Sequence, residues 1–467
     1  MQLPRLLIAG VQSGVGKTTV TLGILAALKR RGITVQGFKV GPDYIDTGLH
    51  HHAAGVKSHN LDSWMGSEKV VKTVFCKNAV KARLSIIEGV MGLYDGDSGA
   101  KIKGSSADIA IMLHTPVILV VNARGLARSC AALVKGYMEY EPRVNIKGVI
   151  LNNVGGISHT NLLKQCLEEE LGVKVLGGIP AEQKIKMPER HLGLWPAEEN
   201  SELQTSIALM ADLVEREIDL DYLVELAEGA DELNFTWSWD RPRQAEITIG
   251  IARDEAFSFY YQDSLDYLEE NGFGLKFFSP LRDQSIPRVD GLYLGGGFPE
   301  MFLEELNANR PMLGSIKAAA ASGMPIWAEC GGFMYLAREI SDFEGRNWAG
   351  VGIIPAQVKM TGKLTALGYV KATAMQNSIL ASKGEVLKGH EFHYSQISGI
   401  DETEQAYRLE GRRGKDVRKN GFVKGNILAS YVHLHLRSNP TTVVHFWESC
   451  QDYRMQNQEM LLNRREK

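Results

Sequence analysis

Five cysteines are all that 467 residues contain, at positions 76, 130, 166, 330 and 450, and no two of them form a CxxC pair. An odd, scattered set argues against a disulfide framework or a zinc site and for reduced thiols. Neither sign of charge dominates, with 52 Lys and Arg against 55 Asp and Glu. No basic run is present to track a nucleic-acid backbone, so nucleic acid is not an expected partner. No apolar run reaches the ~18 residues that a membrane-spanning helix needs. The start, MQLPRLLIAG, runs straight into an apolar strand with no signal-peptide pattern. These absences predict a cytoplasmic protein without a membrane partner. The length predicts two or three domains, each burying its own core.

Glycine, by contrast, is concentrated where it has work to do. The stretch AGVQSGVGKTT, Ala9 to Thr19, follows the apolar run Leu6 to Ile8 and opens onto an amphipathic segment, Val20 to Arg30. Strand, glycine-rich loop and helix in that order form a phosphate-binding loop. Gly14 and Gly16 let backbone N–H groups turn inward to cradle phosphate oxygens at the helix N-terminus. Thr19, next in that first turn, is a further nucleotide-binding candidate. Lys17 is placed to reach the β/γ-phosphates, and the Thr18 hydroxyl to ligate Mg²⁺. One position is irregular: Val11 stands where the usual spacing has its first glycine.

A second strand, Thr34 to Val40, delivers Lys39 to a loop, GPDYIDTGLHHH, that carries Asp43 and Asp46. In an open α/β sheet, ligands sit at the carboxyl ends of strands. Asp43 is therefore a candidate Mg²⁺ ligand, and Lys39 and Asp46 are candidates for placing a substrate or its phosphoryl group. His50, His51 and His52 are consecutive, cannot all face one metal on a helix, and read as a partly exposed substrate-facing patch or a polar loop. The apolar run ending at Glu88, followed by Gly89, looks like the second half of a Mg²⁺ site, with Asp95 near the transferred phosphoryl group. Further apolar runs, Pro116 to Val121, Ile146 to Leu151 and Val173 to Ile179, predict a parallel sheet covered on both faces. Asn152 and Asn153 end one of these runs, where either a base-recognising amide or a plain turn would fit. A polar helical region follows Pro196. The stretch from Phe235 to Arg243 breaks the pattern, and a domain boundary is expected there, giving domains 1–240 and 241–467.

The second half restarts as α/β, with strand patterns at Glu246 to Ala252, Gly274 to Ser279 and Asp290 to Leu294. The fold class is therefore two α/β domains, a P-loop parallel-sheet domain first. The turn containing Gly296 and Gly297 offers backbone N–H groups for an oxyanion hole. Cys330 lies between a strand and a helix, flanked by Gly331 and Gly332, as a nucleophile elbow with sulfur in place of oxygen. The helix N-terminus favours its thiolate. About a hundred residues on, His433 and His435 share one face at strand period. His433 is assigned as base and His435 as its orienter.

Six ordered motifs carry a resemblance: KVGPDYIDT, IIEGVMGLYDG, LYLGGGFPE, AECGGFMYL, GHEFHYS and SYVHLH, spread over Leu6 to about Arg437. The first half resembles dethiobiotin-synthetase-like ATPases and the Cys330 half resembles class I glutamine amidotransferase domains. Together they resemble the cobyrinate a,c-diamide synthase family. That resemblance implies a ligase using glutamine, ATP and Mg²⁺ to amidate carboxylates of a tetrapyrrole, with no bound organic cofactor and with a homodimer as a family expectation. It implies glutamine hydrolysis at Cys330, ammonia passed to the first domain, and an acyl phosphate formed there. The same motifs occur in relatives acting on hydrogenobyrinate or nickel-sirohydrochlorin. CTP synthase shares the two-part plan but is longer. A non-catalytic nucleotide switch is the remote alternative. Two departures stand out. His435 occupies the place of the usual glutamate, so the orienting carboxylate is missing and a weaker or more tightly gated glutaminase is expected. Gln12 stands where partitioning ATPases carry a second lysine, against a nucleotide-sandwich dimer.

Overall fold

The computed structural model describes residues 1–96, 102–181, 201–236, 245–411 and 417–465, with backbone alone over 460–465. It divides into two compact units, Met1–Ser238 and Trp239–Lys467. The expected boundary near residue 240 falls within 237–244, outside the described residues.

The first unit alternates strand and helix: β1 (Arg5–Gly10), α1 (Lys17–Arg30), β2 (Val35–Val40), α2 (Ile45–Ala54), β3 (His59–Leu61), α3 (Glu68–Ala79), β4 (Leu84–Glu88), α4 (Ser106–Met112), β5 (Val117–Asn122), α5 (Ser129–Tyr140), β6 (Ile146–Val154), α6 (Ile157–Leu171), β7 (Lys174–Pro180), α7 (Ser201–Glu217) and α8 (Leu220–Glu228). The strands form one parallel sheet in the order β3-β2-β4-β1-β5-β6-β7. Side chains alternate across it. Leu7, Ile87 and Leu119 join Phe75 and Val134 in one core, while Leu6, Ile86 and Ile118 join Leu25 and Met210 in the other. Each such side chain contributes about 1.5–3 kcal/mol by leaving water, and helices cover both faces. Register then sets the chemistry. Glu88 lies opposite Ile8 of β1 and opposite Lys39 of β2, so an acid and a base meet beside the loop that follows β1.

One expectation changes here. The stretch read as a loop from Gly41 to His52 is helical from Ile45, as α2. Asp46 and His50, four residues apart, share one face of that helix and turn inward, and both are buried.

The second unit contains β8 (Ile247–Ala252), α9 (Gln262–Glu270), β9 (Phe273–Phe278), β10 (Gly291–Leu294), α10 (Leu303–Ala308), α11 (Arg310–Ala321), β11 (Ile326–Glu329) and α12 (Gly331–Leu336). Shorter strands follow: β12 (Ala337–Ser341), β13 (Asn347–Ala349), β14 (Ile354–Met360), β15 (Ala366–Ala374), β16 (Val386–His393), β17 (Ser395–Ser398), β18 (Tyr407–Gly411), β19 (Arg418–Asn420), β20 (Phe422–Lys424), β21 (Ile427–Ser430) and β22 (His433–Leu434), before α13 (Pro440–Arg465). The main sheet runs β20-β21-β11-β10-β8-β9 and is parallel except at β20. Two smaller sheets are β13-β12-β14-β17 and β19-β18-β15-β16-β22. The second of these brings His390 of β16 opposite His433 of β22. Among the described residues, no helix is long and apolar enough to cross a membrane.

Candidate active sites

The first site grows from the turn after β1. Gly14 and Gly16 adopt φ of 77° and 95°, a region open to glycine at little cost. Gly16 caps α1, and a Cβ there would stand 2.2 Å from the Asn152 amide nitrogen. Asn152 donates to the Val15 carbonyl at 2.8 Å, and Asn153 donates to Asn122 at 3.2 Å. The Asn152 amide thus braces the phosphate loop. Lys17 folds back onto the carbonyls of Met91 and Gln12. Burial and then the neighbouring charge of Lys39 lower its pKa. Thr19 is half-buried in the first turn of α1.

Glu88 is the hub. Its Oε1 accepts from Thr18 Oγ1 at 2.7 Å and Lys39 Nζ at 2.8 Å, and its Oε2 lies 2.6 Å from His50 Nε2. Lys39 also meets Asp46 at 2.7 Å. Burial opposes the charged form of both Lys39 and Glu88, but their mutual attraction prevails, holding Lys39 protonated and Glu88 ionised. Asp46 behaves differently: burial first, then the charges of Asp43 and Glu88, push its carboxyl up to about 6 against the pull of Lys39.

One assignment shifts in this unit, and two acids make local hydrogen bonds. His50 is fully buried and bonded to Glu88 and Ser58, so it is neither a surface patch nor a polar loop. Asp43 Oδ1 accepts from the backbone N–H groups of Ile45 and Asp46, both at 2.9 Å. That oxygen starts α2. Asp95 Oδ2 accepts from Gly92 N–H at 2.9 Å and so shapes its own loop.

Among the described residues, no group of three or more His, Cys, Asp or Glu is arranged as a metal cage. Mg²⁺ does not ask for one, since it commonly takes one or two carboxylates and completes its shell with water and phosphate. The Thr18 hydroxyl and the Glu88 carboxylate, hard oxygen donors side by side at the phosphate loop, fit that demand.

The second site grows from the end of β11. Cys330 has φ 46° and ψ −103°, a conformation few non-glycine residues adopt, and its N–H is tied to the Ser430 carbonyl at 2.8 Å. Strain of this kind persists where the surroundings over-determine it. The turn lifts the side chain off the strand and starts α12. A Cβ on Gly296 would stand 2.4 Å from His433 Cε1 and 3.4 Å from Cys330 Cβ. Gly296 thus marks the close approach of base and nucleophile. Gly297 has φ 153°, and its nitrogen lies 3.1 Å from where a Cβ on Gly331 would be. Gly331 opens α12, where amides have no carbonyl behind them. The Gly297 amide thus lies close to the start of α12, next to the nucleophile. The Phe392 carbonyl of β16 lies 3.8 Å from it.

His433 is almost wholly buried. Burial disfavours its charged form, but the Cys330 sulfur and then Glu329 outweigh this and raise it to about 10. The carboxylate thought missing is present, one residue before the nucleophile. Glu329 Oε2 lies 3.7 Å from His433 Nδ1, accepts from Tyr293 Oη at 2.8 Å, and its Oε1 accepts from Leu434 N–H at 2.9 Å. His435 is directed elsewhere: Nδ1 lies 3.0 Å from Ser438 Oγ and Nε2 3.6 Å from Asp263. Glu329 is thus a carboxylate facing His433, and His435 contacts α9 and the turn after β22. The sequence signal for Glu329 was its place at the end of an apolar strand beside the nucleophile, the same signal that marked Glu88.

Comparison with known proteins matches a family model to each half of the chain. Residues 6–194 match the CobQ/CobB/MinD/ParA nucleotide binding domain, and residues 248–441 match the CobB/CobQ-like glutamine amidotransferase domain. A protein of Caldanaerobacter subterraneus named cobyrinate a,c-diamide synthase is 44% identical over 450 residues, covering 96% of this chain and 98% of that one. Proteins of the same name from Dehalococcoides mccartyi and Listeria innocua are each 42% identical, covering 97% and 94% of this chain and 99% and 98% of theirs.

Proposed function

The chain belongs to the cobyrinate a,c-diamide synthase family, and we propose that it amidates the a and c acetate carboxylates of cobyrinate with glutamine and ATP. It is an ATP-dependent carbon–nitrogen ligase with glutamine as amido donor. The observation that carries the mechanistic reading is the pairing of Cys330, in its strained turn, with a buried His433 backed by Glu329.

In this reading residues 241–467 release ammonia. The Cys330 thiolate attacks the glutamine carboxamide carbon, and the N–H groups of Gly297 and Gly331 stabilise the oxyanion. His433 gives its proton to the departing amine, leaving a thioester. Water, deprotonated by His433, then frees glutamate and Cys330. Residues 1–240 use the ammonia. A substrate carboxylate oxygen attacks the γ-phosphorus of ATP and ADP leaves, which makes an acyl phosphate. Ammonia attacks that carbonyl carbon and phosphate departs. The Lys17 ammonium swings from the Met91 and Gln12 carbonyls to the phosphates, while Lys39, positioned by Asp46, attracts the carboxylate. Thr18 and Glu88 would hold Mg²⁺, which when bound neutralises phosphate charge.

The test is ATP- and glutamine-dependent mass gain with cobyrinate, hydrogenobyrinate and nickel-sirohydrochlorin offered separately. A two-amide product from cobyrinate alone is expected. Turnover of another tetrapyrrole alone overturns the substrate and keeps the mechanism.

A further inference from the structure

Helix α5 has two apolar stripes where a surface helix needs one. Cys130, Ala131 and Val134 face the core and are buried. Leu133, Tyr137 and Tyr140 stand at i, i+4 and i+7, a single second face, with Leu133 36% and Tyr140 71% exposed. The loop after β4 adds to this face. The Tyr94 ring lies 5.5 Å from that of Tyr137, nearly parallel at 24°, and 4.8 Å from that of Tyr140. Tyr94 Oη donates to the Tyr137 carbonyl at 2.5 Å. Met91, on the same loop, is also exposed. Tyr94 and Tyr137 are half-buried against the core, and Leu133, Tyr140 and Met91 leave exposed apolar surface around them, of the kind that marks ligand or partner sites.

The patch is joined to the phosphate site. Tyr137 Oη donates to the carbonyl of Val11, inside the phosphate loop. Tyr94 immediately precedes Asp95, and Met91 supplies the carbonyl that holds Lys17. The patch thus borders the phosphate loop and the carbonyl that holds Lys17. The tetrapyrrole of the proposed reaction suits this position: its ring framework offers apolar area to the aromatic rings, and a carboxylate on one of its arms enters the phosphate site. Aromatic side chains suit such a body because they offer wide rigid area with polar tips.

We propose that Leu133, Tyr137 and Tyr140 of α5, with Tyr94, form the platform on which the tetrapyrrole macrocycle lies while its rim carboxylate is phosphorylated. This rests on the function proposed above. Tyr137 and Tyr94 fix the platform to the phosphate loop through their hydroxyls, and Tyr140 supplies open ring surface.

The test varies cobyrinate at saturating ATP with ammonium as nitrogen donor, which bypasses Cys330. Tyr140→Ala is expected to raise KM for cobyrinate about tenfold, the scale of losing one stacked ring, with kcat and KM for ATP within about twofold. Tyr140→Phe, which keeps the ring, is expected to restore wild-type KM. Equilibrium dialysis of cobyrinate against each variant reads the same loss without turnover. An unchanged KM and dialysis constant in Tyr140→Ala overturns the platform while leaving the proposed function intact. No turnover of any tetrapyrrole by the wild type overturns the function, and the platform with it. Dissociation of a dimer by Tyr140→Ala, with cobyrinate affinity unchanged, assigns this face to a second copy of the chain and also overturns the proposal.

Discussion

Glu88 and Glu329 are both shut off from water, at 0% and 2% exposure, yet opposite kinds of partner hold them. Glu88 is surrounded by an ammonium, an imidazole and a hydroxyl. Its negative charge is matched locally, and the site is built to exchange one cation for another. Glu329 is held by a backbone N–H and a phenol, both neutral. Neutral donors fix its position without cancelling its charge, which is left to act on His433. A carboxylate that positions charged phosphates and one that tunes a base are thus distinguishable by the formal charge of their partners.

Cys330→Ser gives the largest separation between the two regions. Glutamine-dependent amidation is expected to fall by about 10³-fold or more, because the sulfur is the nucleophile, while ammonium-dependent amidation persists. Loss of both activities in a folded variant would mean that the regions do not work independently. Glu88→Gln tests the converse. It is expected to abolish ATP-driven amidation with either nitrogen donor, by about 10²-fold or more. Trapping of Cys330 by a glutamine-analogue electrophile should survive. Because breaking a buried ion pair costs about 3–5 kcal/mol, thermal unfolding of the variant is the check that the first unit still folds.

Glu329→Gln is expected to have a smaller effect, lowering glutaminase turnover about 10- to 100-fold while sparing ammonium-dependent amidation. Its sharper readout is the His433 titration, expected to move down from about 10. Were Glu329 merely packing, turnover would fall with that titration unmoved.

The pH dependence of the first site follows from Asp46, raised to about 6. Its folded pKa lies above the ordinary carboxylate value, so its contribution to stability is greatest when protonated and declines as pH rises through the interval up to about 6. Its ability to hold Lys39 in the charged pair runs the other way. Ammonium-dependent amidation, corrected for the ammonia fraction, is expected to drop as pH falls through about 6, and Asp46→Asn to flatten that limb.

How much of this the sequence carried depends on whether local pattern or long-range contact made the feature. The loop around Lys17 and the elbow at Cys330 are local: glycine spacing between a strand and a helix specifies each, and both are where the pattern placed them. Strand ends marked Lys39 and Glu88, and parallel register alone brought them together. His50 was misjudged because GPDYIDTGLHHH, rich in Gly, Pro and Asp, reads as loop, while burial of Asp46 and His50 against Glu88 made it helix. Tertiary contact overrode propensity there.

His435 is the same lesson at its smallest expected effect. Period-two spacing put His433 and His435 on one face, which holds only while the strand continues. β22 ends at Leu434, and the chain turns into a short helix at Leu436–Ser438. His435 therefore meets Ser438 and Asp263. Asp263 is also held by Arg437 at 2.9 Å, so its charge has another partner. His435→Gln keeps a hydrogen-bonding side chain at that position. Glutaminase turnover is expected to change by less than about threefold, with at most about 1 kcal/mol lost from stability. A loss approaching that of Glu329→Gln, with the thermal midpoint unchanged, would return His435 to the catalytic machinery and make the chain's departure from His-x-Glu functional after all.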